Sequence, residues 1–185
     1  MDFITLENKD RIKLIEDVVI RPLKINKDES GTLVETLRAD WEDIYGFGRE
    51  FKMQYYSITP PGLARDEFVW HFHPTMQEDR FLVVQGSIVL AVADNRKGSP
   101  TEGLLNLFRV DADKNPYMVL VPKETLHTFM VISSQPAILL NFPTALYNPK
   151  EEGRIPFSEA NVKVNDGSLF SWENVRKKIS GTSSL

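Results

Sequence analysis

The chain has 185 residues, a formal net charge of -4, no cysteine and three histidines. This length predicts one domain. A composition of 42% hydrophobic and 26% charged residues is that of a globular protein rather than a disordered one. The mild acidity argues against a dedicated binder of nucleic acid, which would carry a basic excess. The absence of cysteine excludes disulfides, thiolate nucleophiles and cysteine-based zinc sites.

The N-terminal residues include acidic groups and lack the apolar run of a secretory signal. No stretch approaches the roughly 18 apolar residues that a membrane-spanning helix needs. We therefore expect a cytoplasmic protein that contacts neither membrane nor nucleic acid and whose partner is a small molecule.

Short strand-like segments follow one another along the chain. Two of them, Val18 to Leu23 and Thr32 to Leu37, flank a polar turn at residues 27–31. The later ones are Phe51 to Thr59, Glu67 to His73, Arg80 to Ala93 with a bend at Gly86, Leu104 to Val110, Tyr117 to Val121, His127 to Ser133 and Ala137 to Phe142. Polar turns separate these segments and no long helical pattern lies between them. This pattern predicts an all-β sandwich or barrel.

The C-terminal part is less regular. We expect one domain over residues 1–185, with a barrel core at about residues 18–145 and a wrapping segment at about residues 146–180. Within that segment Ser171 is a candidate cap for a short helix over Trp172 to Ile179, with Glu173 in its first turn.

The histidines fall on two predicted strands. His71 and His73 are two residues apart, so both side chains point to one face of their strand, with Trp70 and Phe72 on the other. His127 begins a later strand. A small barrel can direct all three imidazoles at one interior point, and we therefore expect a shared functional cavity.

The spacing of these residues resembles the metal-binding motifs of the cupins. His71, His73 and Glu78 form H-x-H-x(4)-E, and His127 follows Pro122 in P-x(4)-H. The resemblance implies the cupin fold, a double-stranded β-helix or jelly-roll barrel. It also implies one divalent metal (Mn, Fe, Ni or Zn) held by His71, His73, Glu78 and His127, with metal–ligand distances of about 2.0–2.2 Å.

A second resemblance runs from about residue 18 to about residue 178. Four segments are similar to the dTDP-4-dehydrorhamnose 3,5-epimerase family, the RmlC-like cupins. They are N-K-D-E-S-G-T-L-V-E at residues 26–35, F-L-V-V-Q-G through G-S-P-T-E-G at residues 81–103, V-P-K-E-T-L-H-T-F at residues 121–129, and Y-N-P-K-E-E-G-R-I-P-F at residues 147–157. The G-S-P-T and Y-N-P blocks are the most specific, because a barrel does not need those loop residues.

This second resemblance implies an epimerase that abstracts a proton next to a keto group of a sugar and needs no cofactor. His71 falls on the family's general base and Asp166 on the carboxylate that orients it, at a hydrogen-bond distance of roughly 2.6–3.2 Å. His127 falls on its second active-site histidine. Arg80 falls on the lysine that stabilises the enolate oxygen.

The substrate contacts that the resemblance implies are Tyr147, of the Y-x-P motif, and Glu35, with Asn141 and Arg65 as further candidates. Asn141 stands where the family has its catalytic-acid tyrosine, and an amide cannot donate a proton as a phenol can. Phe68 and Ser30 stand at two phosphate-binding arginine positions, and Arg65 is a candidate replacement.

Three functions remain open on the sequence: a nucleotide-sugar (4-keto sugar) epimerase, a metal-dependent cupin enzyme, and a non-catalytic sugar-binding cupin. His73 discriminates between the first two, because it is a ligand in a metal cupin and surplus in an epimerase. The resemblance further implies a homodimer in which N-terminal strands within Val18 to Leu37 exchange between subunits.

Overall fold

The computed structural model describes residues 2–182, and two antiparallel sheets dominate it. The first has the order β1-β10-β9-β12-β7-β14, with β6 beside β12. Its strands are β1 (Phe3–Ile4), β6 (Ala64–Arg65), β7 (Val69–Phe72), β9 (Ser87–Ala93), β10 (Leu105–Asp111), β12 (Leu126–Val131) and β14 (Gly153–Pro156). Among the strands of the described residues, only β1 pairs in parallel, along β10.

The second sheet has the order β2-β11-β8-β13-β5. Its strands are β2 (Val19–Pro22), β5 (Tyr55–Thr59), β8 (Asp79–Gln85), β11 (Tyr117–Val121) and β13 (Ala137–Asn141). A separate hairpin is formed by β3 (Ile25–Asp28) and β4 (Gly31–Val34). The helices are short: α1 (Glu42–Tyr45), α2 (Phe157–Ala160) and α3 (Trp172–Thr182). The fold is the predicted all-β jelly-roll with a short C-terminal helix.

Alternation along the strands builds three apolar layers. Between the sheets lies a core that includes Phe81, Leu90, Val119 and Phe129. The outer face of the first sheet is covered by the C-terminal segment, the outer face of the second by α1 and the residues around it. Because successive side chains of a strand point to opposite faces, the inward or outward position of each residue is set by its register.

The bend between β8 and β9 lies at Gly86, as the sequence predicts. Its φ of 76° is in the left-handed region, where residues other than glycine are strained. A Cβ at this position would lie 2.7 Å from the Ser133 hydroxyl oxygen and 3.0 Å from the Pro136 carbonyl oxygen. Both the backbone conformation and the lack of space therefore require glycine here.

Two elements differ from the sequence prediction. Strand β3 includes Lys27 and Asp28, which the sequence places in the turn, and the turn of the hairpin is reduced to Glu29 and Ser30. Strand β14 lies in the C-terminal segment, where the sequence predicts no strand. Its four residues include a glycine and a proline and show no alternation of polar and apolar side chains. Its pairing with β7 places Arg154 directly opposite His71. None of the helices within residues 2–182 is long and apolar enough to cross a bilayer.

Candidate active site

A cavity of about 310 Å³ opens between the two sheets and is lined by two of the three histidines, His71 and His127. On the first sheet, His71 of β7 pairs in register with His127 of β12, and both line the cavity. Trp70 of β7 is buried in the outer apolar layer, as its alternation with His71 predicts. On the facing sheet, β8 contributes Asp79 and β5 contributes Tyr55.

His71 is neutral at physiological pH. Burial, together with the nearby rings of His127 and His73, lowers its pKa to about 3. Its Nε2 lies 3.3 Å from a carboxylate oxygen of Glu152, and its Nδ1 is buried without a hydrogen-bond partner among the described residues. A neutral imidazole beside a carboxylate is suited to accept a proton, because the carboxylate stabilises the imidazolium that forms.

His73 does not face a substrate but pairs with Asp79. Its Nδ1 lies 2.9 Å from the backbone carbonyl of Glu151 and its Nε2 lies 3.0 Å from Asp79 Oδ2. Both acceptors lack protons, so they favour a proton on each ring nitrogen, which is the cationic form of the ring. Burial opposes this, but the hydrogen bond and charge of Asp79 outweigh it, and the pKa of His73 is raised.

Asp79 is the charged centre behind the cavity and is 1% exposed. Burial alone would raise its pKa, yet the hydrogen bond from His73 and the charges of His127 and His73 hold the pKa well below the usual range. Its Oδ1 accepts from Gln77 at 2.8 Å and from Asn141 at 2.7 Å. The Gln77 amide nitrogen also lies 2.9 Å from His73 Nε2.

His127 lies in the same cluster, its Nε2 at 3.3 Å from Asp79 Oδ2. Burial lowers its pKa to about 4 although the charge of Asp79 acts in the opposite direction. One potential ligand atom from each of the three histidines lies within 4.8 Å of the other two. Three imidazoles at this spacing suit a divalent transition metal, and the nearby carboxylate is Asp79.

Glu78, the carboxylate predicted from the metal motif, is not part of this cluster. It lies just before β8, and both its oxygens accept hydrogen bonds from Arg49, at 2.7 and 3.0 Å. The expectation that Glu78 joins His71, His73 and His127 is therefore corrected, because the carboxylate turned toward them belongs to the next residue.

Arg80 also points away from the cavity, contrary to expectation. On β8 it alternates with Asp79 and Phe81, so its guanidinium lies in the outer layer over the Tyr45 ring, 4.2 Å from the centroid. There it donates to the backbone carbonyls of Ile44, Arg49, Phe142 and Pro143. Arg80 cannot stabilise an oxyanion in the cavity and instead holds the loops that cover the second sheet.

Asp166 does not meet His71. It is exposed in the turn before α3, where its carboxylate accepts from the backbone N–H and hydroxyl of Ser168. Those hydrogen bonds lower its pKa. The carboxylate beside His71 belongs to Glu152, which lies just before β14 and was not predicted because that strand has no sequence signature.

The four predicted substrate contacts have different positions. Arg65 and Tyr147 line the cavity, and no carboxylate within residues 2–182 forms an ion pair with Arg65. Asn141 is buried behind the cavity wall, where it contacts Asp79 and Tyr55. Glu35 lies outside the cavity, after hairpin β3–β4, and pairs with Arg38 at 2.8 Å.

Comparisons with known proteins extend over most of the chain. A family profile described as dTDP-4-dehydrorhamnose 3,5-epimerase matches residues 13–179. The probable low-salt glycan biosynthesis epimerase Agl13 of Haloferax volcanii is 39% identical over 146 residues, which cover 77% of this chain and 88% of that protein.

Solved structures agree with the fold. The dTDP sugar isomerase of Desulfovibrio desulfuricans G20 has a TM-score of 0.72 at 22% identity, covering 88% of this chain and 96% of that one. The enzyme RmlC of Legionella pneumophila Philadelphia 1, a dTDP-6-deoxy-D-glucose-3,5-epimerase crystallised with dTDP-4-keto-L-rhamnose, has a TM-score of 0.68 at 27% identity. The aligned region covers 77% of this chain and 74% of the Legionella chain.

Proposed function

We propose, from the premise that this chain belongs to the dTDP-4-dehydrorhamnose 3,5-epimerase family, that it epimerises a nucleotide-linked 4-keto sugar at a carbon next to the keto group. The observation that carries the proposal is His71, a neutral imidazole on the wall of a cavity with Glu152 at 3.3 Å. A proton on a carbon next to a ketone is acidic enough for a positioned base, since the charge that remains is delocalised onto the keto oxygen.

In this proposal His71 removes the proton, and Glu152, 3.3 Å from its Nε2, stabilises the imidazolium that forms. Attraction between imidazolium and carboxylate arises only once the proton has moved, so it lowers the barrier rather than strengthening substrate binding alone.

His73 and Asp79 have a supporting role in the same step. The ring centroids of His71 and His73 are 4.7 Å apart, and a protonated His73 at that distance opposes protonation of His71 before substrate binds. We assign His73 to this electrostatic function, with Asp79 as its counter-ion.

Arg65 and Arg154 are the proposed diphosphate contacts. Both guanidinium groups belong to the cavity lining, and Arg154 is more than half exposed at its mouth. Guanidinium groups recognise phosphate oxygens through paired hydrogen bonds. Tyr147, also at the mouth and 67% exposed, is the proposed contact for the sugar or base.

We further propose a homodimer. The hairpin β3–β4 pairs with no other strand of the described chain, and Leu33 on it is 61% exposed. The edge strand β5 also exposes Tyr56 and Ile58 on its outer face, at 63% and 58%. A second copy would cover such surfaces and would give Glu35 a route to the partner's cavity. A monomeric mass by light scattering would contradict this.

We also propose that the protein is cytoplasmic, which cell fractionation tests.

A metal-dependent reaction is the second candidate, favoured by the spacing of the three histidines. The two mechanisms exclude each other at His71, because a nitrogen bound to metal cannot accept a proton. Elemental analysis of purified protein separates them. Stoichiometric transition metal whose removal by EDTA abolishes activity would overturn the metal-free proposal.

The main test is incubation with dTDP-4-keto-6-deoxyglucose in deuterated water, followed by NMR. The proposal expects deuterium at C3 or C5 together with inverted product, and His71→Asn should abolish both. Asp166→Asn is the matched control, since Asp166 lies on the surface and, within residues 2–182, its carboxylate forms hydrogen bonds only with Ser168. Binding without deuterium uptake would instead support a non-catalytic sugar-binding cupin.

A further inference from the structure

Tyr55 lies on the wall of the cavity opposite His71. His71 belongs to β7 of the first sheet, whereas Tyr55 begins β5 at the edge of the facing sheet, and both line the same cavity. Epimerisation inverts a carbon atom, so the proton must leave from one face and return to the other. Such a reaction needs a base and an acid on opposite sides of the substrate.

The hydrogen bonds of Asn141 determine what Tyr55 can donate. The Asn141 Oδ1 accepts the backbone N–H of Arg80 at 3.0 Å, and its Nδ2 donates to Asp79 at 2.7 Å, so these two partners fix the orientation of the amide. The same Nδ2 lies 2.8 Å from the Tyr55 hydroxyl oxygen and donates to it. Tyr55 is therefore the acceptor, and among residues 2–182 no hydrogen bond takes its own proton.

The position of Tyr55 distinguishes it from the neighbouring phenols. Tyr147 also lines the cavity, but it is 67% exposed, against 42% for Tyr55, and no hydrogen bond within the described chain orients its hydroxyl. Tyr56 follows Tyr55 on β5 and points to the opposite face. Asn141 and Tyr55 are paired in register between β13 and β5, which makes the contact a consequence of the sheet itself.

We propose that Tyr55 is the general acid that returns the proton to the substrate carbon, which rests on the proposed epimerase function. His71 breaks the C–H bond and leaves an enolate. The O–H bond of Tyr55 then breaks as a new C–H bond forms on the opposite face. The resulting phenolate is stabilised by the amide proton of Asn141. The imidazolium of His71 and the phenolate then exchange protons with water, which restores both groups.

The environment of Tyr55 keeps the phenol protonated until it is used. Burial and the charge of Asp79 raise its pKa to about 12, while the hydrogen bond from Asn141 acts in the opposite direction. Asn141 is therefore a positioning residue, because its amide donates to the Tyr55 hydroxyl oxygen and orients the phenol.

The experiment compares Tyr55→Phe with the unaltered chain on dTDP-4-keto-6-deoxyglucose in deuterated water. The change removes one oxygen and keeps the ring. We expect the rate of inversion to fall by about 10²–10⁴-fold, while deuterium still enters the recovered, uninverted sugar, because His71 can return a deuteron to the face from which it took the proton. Tyr56→Phe is the matched control and should invert the sugar at the original rate.

Each outcome has a distinct meaning. Exchange without inversion in Tyr55→Phe supports the acid role. Inversion within about threefold of the original rate would overturn it and leave the epimerase function standing. Loss of exchange and inversion together, in a variant with an unchanged circular dichroism spectrum, would assign Tyr55 to enolate formation and overturn the acid role as well. If the unaltered chain shows neither exchange nor inversion, the proposed function itself fails.

Discussion

Replacing Asp79 by Asn tests whether His73 is a buried cation. The change keeps the shape of the side chain but removes the charge that faces His73 Nε2 at 3.0 Å. Two unit charges at that distance attract by about 5 kcal/mol at an effective dielectric constant near 20. Loss of the His73 proton relieves part of this, so we expect a loss of about 3 kcal/mol in the free energy of unfolding near pH 6.

The pH dependence of that loss distinguishes an ion pair from ordinary hydrogen bonds. The folded pKa of His73 is raised, so its contribution is complete below the unfolded value of about 6.5 and disappears as pH rises through the folded pKa. The folded pKa of Asp79 is lowered, so its contribution is present above about 3.9 and disappears as pH falls through the folded pKa. The difference between the two proteins should therefore be largest between about pH 4 and 6.5.

Urea denaturation followed by circular dichroism at a series of pH values measures this difference. With a urea dependence of about 3 kcal/mol/M, the midpoint should fall by about 1 M at pH 6. Asp94→Asn is the matched control, because Asp94 is 2% exposed and its partners are Arg96, Ser99 and Thr101, with no histidine. The loss of unfolding free energy that Asp94→Asn causes should not decrease above pH 6.5. For Asp79→Asn, a loss below about 1 kcal/mol, or a loss that does not change with pH, would refute the charged state of His73.

Two further predictions concern the site and the fold. Glu152→Gln should lower kcat by about tenfold or more, whereas Asp166→Asn should leave kcat unchanged, because of these two carboxylates Glu152 is the one that lies 3.3 Å from His71. Steady-state kinetics measure both effects. The opposite order would restore Asp166 as the partner of His71. Gly86→Ala should lower the free energy of unfolding by about 2 kcal/mol or more, since it combines a φ of 76° with a Cβ 2.7 Å from Ser133 Oγ; an unchanged melting temperature would contradict this.

The most specific sequence block proved to be structural. The side chains of Ser99 and Thr101, in the G-S-P-T segment, donate to the Asp94 carboxylate, each at 2.6 Å. Thr101 also accepts the backbone N–H of Glu16, which fastens the N-terminal segment to the loop. These contacts give the loop a structural role, since it holds the segment that covers the core.

Alternation and spacing determined the barrel and the grouping of the histidines. His71 and His73 share a face because the side-chain period of a strand is two, and His127 joins them because strands in a barrel converge. The same periodicity places Asp79 and Phe81 of β8 on one face and Arg80 on the other. The sequence does not show which of these two faces points inward, and the structure shows that it is the face of Asp79 and Phe81.

Only the tertiary structure decided which polar groups surround the histidines. Glu152, Asn141 and Tyr55 lie far from His71 in the chain and reach the site through strand pairing, β14 with β7 and β13 with β5. Such contacts depend on register between distant segments, and a shift of one residue reverses every side chain. Local sequence therefore singled out His71 and His127, whereas the paired sheets determined which groups surround them.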